Sequence, residues 1–137
     1  MIVSLHVATG GAVGAAAGSR LRALVLGLAA HALGDAIPHE DIMSRRFETV
    51  SGLAALSLLA IARGPFDPAV IGAAAASAPD LEHVLPLPKP GGRDLFPSHR
   101  VEGWHRSGGL TAGTQLVAAG VIVAMLVLPR RKDRTCP

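Results

Sequence analysis

Five apolar segments, residues 2–18, 21–37, 50–62, 69–87 and 107–128, divide this chain, and none shows the apolar–polar alternation that a half-buried strand requires. Proline and glycine fall mostly at the segment ends, where they stop helices without breaking them. The pattern predicts an all-α fold. At 1.5 Å per residue the first and last segments would span roughly 27–33 Å as helices, enough for a hydrocarbon core. Half of the 137 residues are hydrophobic, yet the only aromatic side chains are Phe47, Phe66, Phe96 and Trp104. Ala, Gly, Leu and Val in such excess suit helices packed closely in lipid better than a core filled by large side chains. The expectation is an integral-membrane bundle of about four to five helices. Residues 1–128 form its single domain, 86–106 a long irregular loop and 129–137 a basic tail.

Alternating the segments across a bilayer sorts the polar residues. All six histidines, with Asp35, Glu40, Asp41, Asp80, Glu82 and Glu102, fall toward one face. The tail Arg130-Arg131-Lys132-Asp133-Arg134 places the C-terminus on the cytoplasmic side by the positive-inside rule, which implies a multi-pass protein of a bacterial-type inner (plasma) membrane. Trp104 would sit at the interface. The formal charge of +3 does not point to nucleic acid, because the basic residues cap apolar runs instead of forming a stripe interleaved with aromatics. Cys136, the single cysteine, excludes an internal disulfide and a thiolate cluster. Gly10, Gly14 and Gly18 recur every four residues on one face, a surface for close helix packing or for a homo-oligomer.

The residues with chemistry to offer are concentrated. His31 and Asp35 are four apart and share a helix face, and Pro38 ends that helix so that His39 sits on a turn beyond it. Asp80, Glu82 and His83 follow Pro79, which could open a helix. His99-Arg100 and Glu102-Gly-Trp-His105 lead into the last segment, and His6 lies near the start of the first. Imidazole and carboxylate donors without sulfur suit zinc, manganese or iron.

The His6 segment Leu-His-Val-Ala-Thr-Gly-Gly, Pro79-Asp80-x-Glu82-His83, His99-Arg100 followed by His105, and His31-x-x-x-Asp35 resemble elements of the YdjM-like bacterial inner-membrane proteins, described as membrane-bound metal-dependent hydrolases. His31-x-x-Gly34-Asp35 with Pro38-His39 is also similar to the ligand segment of the zinc-dependent phospholipase C and single-strand nuclease fold, which implies phosphoester hydrolysis. The resulting expectation is a membrane-embedded hydrolase of a phosphoester or lipid-like ester. One or two divalent ions, zinc foremost, would be held by His6, His31, Asp35, His39, Asp80, His83, His99 and His105. Glu82 or Glu102 would take a proton and Arg100 would clamp an anionic group. Its substrate would be a small molecule or a membrane lipid. The alternative is a non-catalytic membrane protein that senses, stores or helps transport a divalent cation.

Overall fold

The structure, a computed structural model, describes residues 1–128. Seven helices run in the order α1 (Val3–Ala16), α2 (Arg20–Ala36), α3 (Arg45–Arg63), α4 (Pro68–Ser77), α5 (Leu81–Val84), α6 (Pro97–Arg100) and α7 (Ala112–Val127). The helical expectation holds, and the membrane-spanning one does not. Among the described residues no helix is long and apolar enough to cross a membrane. At 1.5 Å per residue, the 14 residues of α1 reach about 21 Å and the 16 of α7 about 24 Å, short of a hydrocarbon core near 30 Å. The longest helix, the 19-residue α3, opens on Arg45, Arg46 and Glu48 and closes on Arg63. The integral-membrane bundle and the multi-pass inner-membrane localisation are therefore overturned. The basic tail invoked for orientation lies outside the described residues.

The segments fell short for local reasons. The first stops at Ala16, and Ser19 starts the next helix by accepting the Arg22 N–H at 3.3 Å. The fourth is broken after Ser77, ahead of Pro79. The fifth begins in a bend through Gly108 and Gly109, and its helix starts only where the Thr111 hydroxyl caps Thr114 N–H at 3.2 Å.

α1 is apolar on every side and is the central element, packed against α2, α3, α4 and α7. Ile2, Leu5, Val7 and Ala8 meet Leu59 of α3, Val70 and Ala73 of α4, and Ala119 and Val123 of α7 in one core. The closest approach lies between α1 and α4. A methyl group added at Gly72 would stand 2.4 Å from Gly10 O, and one at Gly10 would stand 2.4 Å from the Ala76 Cβ. Gly10 and Gly14 thus spend their small size inside the molecule, against α4, and are buried there. This seam draws the N-terminal half of α1, the C-terminal half of α2 and the end of α4 together at one end of the bundle.

Candidate metal centre

Asp35, on the last turn of α2, is buried at that end with a crowded carboxylate. Its Oδ2 lies 3.0 Å from His31 Nε2 and 3.3 Å from His99 Nε2, and accepts the Ser98 hydroxyl at 2.6 Å. Its Oδ1 lies 3.1 Å from His6 Nε2 and 3.2 Å from the Met1 nitrogen. Burial alone would raise the pKa of Asp35. The imidazoles of His31, His6 and His99 and the Ser98 hydroxyl reverse this and hold the carboxyl well below the ordinary range.

The histidines are locked by their other ring nitrogens. His31 Nδ1–H donates to Ala76 O at 2.7 Å, and His39 Nδ1–H donates to Ile37 O at 2.6 Å. A carbonyl can only accept, so each Nδ1 carries a proton and each ring turns its Nε2 into the cluster. His99 Nδ1 donates to Glu82 Oε1. Burial opposes ionisation of Glu82, but this bond and the backbone N–H groups of Leu95 and Phe96 keep the carboxylate charged. His99 Nε2 therefore also faces inward, 3.1 Å from His31 Nε2. Asp80 Oδ1 is 3.8 Å from His99 Nε2, while its Oδ2 is buried without a partner.

Acceptors thus converge on acceptors. Such atoms meet favourably only through a shared proton or a cation. Against burial, which would lower it, Asp35 and Glu82 raise the pKa of His99, so in the metal-free protein a proton takes up part of that role. His6 behaves differently: burial pushes its pKa down to about 3, so it stays neutral and donates Nε2–H to Asp35.

A second group adjoins the first across the Met1 nitrogen, which touches both Asp35 Oδ1 and His39 Nε2. His39 Nε2 lies 2.8 Å from His105 Nε2 and 3.2 Å from Asp41 Oδ1, and Asp41 Oδ2 is 3.8 Å from His105 Nε2. Two loops meet here. His39 N–H donates to Arg106 O at 3.1 Å and Leu110 N–H to Pro38 O at 3.0 Å. The crossing needs Gly109, with φ of 83°, because a side chain there would strike Pro38 O.

Four sets of donors could hold a metal ion: His6, His31 and Asp35; His31, Asp80 and His99; His39, Asp41 and His105; and Glu82, His83 and His99. The histidines and aspartates expected as ligands are thus gathered at one end of the molecule. Glu82, Arg100 and Glu102 are placed differently from the expected ligands. Both Glu82 oxygens are engaged in orienting His99 and the backbone that carries it. Arg100 and Glu102 are exposed and belong to none of the donor sets, and Glu102 lines a separate cavity beside Trp104. Trp104 is fastened to the end of α2, its Nε1–H donating to Ala32 O at 2.8 Å.

Three contributors were not among the expected site residues. Asp41, two residues after His39, had a signal in that spacing. Ser98 and Arg45 had none. A cavity of about 370 Å³ opens over both groups, with Asp35, Asp80, His99, Asp41 and His105 in its wall and Arg45 supplying positive charge there. No family model, curated protein or solved structure matches the chain.

Proposed function

We propose that the chain is a metal-dependent hydrolase of a phosphoester or lipid-like ester, with zinc the preferred ion. One observation carries the reading: three histidines held by Nδ1–H bonds to Ala76 O, Ile37 O and Glu82 turn their Nε2 atoms onto carboxylate oxygens beneath an open cavity. This is the donor arrangement, complete with orienting partners, that a divalent cation requires. The absence of sulfur donors and the mixture of imidazole and carboxylate suit zinc. The resemblance to YdjM-like hydrolases points the same way.

His31, Asp35 and His99, with Asp80, would hold one ion, and His39, Asp41 and His105 a second. Asp35 Oδ2 faces the first group, and its Oδ1 faces His6 and the Met1 nitrogen, which touches His39 of the second. Metal bound there lowers the pKa of water toward neutrality and offsets charge building on the substrate. The chain's own residues do the rest. Ser98 and His6 hold Asp35, and Glu82 holds His99 in the needed tautomer. Arg45 pairs with an anionic substrate group. Asp80, with its Oδ1 toward His99, keeps Oδ2 unpartnered and available to accept a proton.

The test is elemental analysis of the purified chain followed by assay on phospho- and carboxylic esters. Stoichiometric zinc, and turnover that Asp35→Asn and Asp80→Asn abolish, are expected. Bound metal without turnover would leave the non-catalytic cation-binding alternative, and no bound metal would end both.

A further inference from the structure

A second cavity, of about 510 Å³, lies between α3, α4 and α5 and shares Asp80 with the polar cavity over the metal centre. Its wall is formed by Leu53 and Leu56 of α3, Ala74 of α4, and Leu81, Val84 and Leu85 at α5. Leu53, Leu81, Val84 and Leu85 remain 58%, 47%, 49% and 47% exposed, large aliphatic side chains gathered around one groove and left open to water. Two hydroxyls line it as well, and both are engaged within their own helices. Thr49 Oγ–H donates to Arg45 O at 2.9 Å, and Ser77 Oγ–H donates to Ala73 O at 3.1 Å. The groove is thus almost wholly aliphatic along its length, with no free hydroxyl proton to offer an occupant, and has one carboxylate at its end.

We infer that the substrate carries an aliphatic chain, which lies in this groove and presents its hydrolysable polar end beside Asp80 to the metal centre. The inference rests on the hydrolase reading and narrows its substrate class. An extended peptide is disfavoured because its N–H and C=O groups would be buried there without partners. The wall contains no aromatic side chain to stack on a planar ring, whereas Leu, Val and Ala suit methylenes. The volume is in the range of ordinary small-molecule sites.

The probes are butyl, octyl and dodecyl phosphate below their micelle concentrations, titrated by calorimetry into the zinc-loaded chain. Affinity should rise roughly tenfold for every two methylenes that enter the groove. Ala74→Phe, which fills the groove, and Leu53→Gln, which makes its exposed wall polar without opening a core cavity, should each flatten that slope. Unchanged zinc content would show that fold and centre survive. Equal affinity for butyl and dodecyl phosphate, or a slope that persists in both variants, would overturn the inference. So would a dimer of the wild-type chain that Leu53→Gln dissociates, since the groove would then hold a second copy. Butyl phosphate binding that ignores zinc, with the gain from octyl to dodecyl intact, would instead overturn the hydrolase reading while the groove stood.

Discussion

The two halves of the polar cluster use the same side chains in opposite settings. In the inner half His6, His31 and Asp35 are essentially inaccessible, and each is tied to a different helix or turn. In the outer half His39 is equally buried, but the side chains of Asp41 and His105 are 56% and 40% exposed and ride on loops. The inner half is preorganised by the bundle's packing, so a cation entering it has little chain left to order. The outer half rides on exposed loops and lines the open cavity. A rigid and an exposed donor set are thereby separated over one short distance, with the Met1 nitrogen between.

That contrast can be broken at its centre. Asp35→Ala strands His31, His99 and Ser98 around an empty position, and should cost about 3–5 kcal/mol of stability together with the inner ion. Urea unfolding beside elemental analysis would check this, and an unchanged midpoint would mean the inner half is not built around the carboxylate.

Acid should find the same weakness. His6, with a folded pKa near 3 against an ordinary 6.5, contributes stability that is present at neutral pH and lost as pH falls from about 6.5 toward 3. Asp35, also held low, loses its contribution as pH falls below the ordinary carboxylate range. Asp80 and His99, whose pKa values are raised, act in the opposite sense, favouring the fold at low pH and losing that contribution as pH rises through their folded values. Between pH 7 and pH 4 the loss at His6 is largely offset by the gain at Asp80, so the metal-free protein should lose stability mainly below about pH 4, where Asp35 adds its own loss; a urea midpoint that stays flat as pH falls further would refute the inner half's dominance.

Smaller effects sharpen the comparison. Gly72→Ala forces α1 and α4 apart where Gly10 O leaves no room, and should cost about 1–3 kcal/mol. Because Ala76 O anchors His31, the inner site should weaken while the outer one keeps its metal. Glu82→Gln frees His99 from its charged partner and should lower inner-site affinity about 10–100-fold with a small change in unfolding. His105→Ala, on the exposed loop, should move stability by no more than about 0.5 kcal/mol yet remove one ion from the stoichiometry. If it destabilises as much as Asp35→Ala, the two halves are one structural unit.

The role of Glu82 shows where local reading runs out. Beside Asp80 and His83 it is simply an acid on a short turn, and only the return of Pro97–Arg100 over α5 makes it the orienting partner of His99. The glycine face of α1 was legible as a packing surface, but its occupant was not: α4 lies more than fifty residues away along the chain. The lengths of the apolar runs misled for a related reason. Hydropathy does not register where a helix stops, and caps at Ser19 and Thr111 and the break before Pro79 shortened what composition had drawn as spans.

By itself the sequence determined that the chain is helical, that His31 and Asp35 share a face, and which residues could donate to a cation, since these follow from periodicity and side-chain chemistry. The tertiary structure alone decided that His6, His31 and His99 meet around the Asp35 carboxylate while His39 and His105 meet at Asp41, and which acids are already engaged. Those outcomes depend on how closely α1, α2 and α4 approach, a distance set by packing across the fold and by no neighbouring residue in the chain.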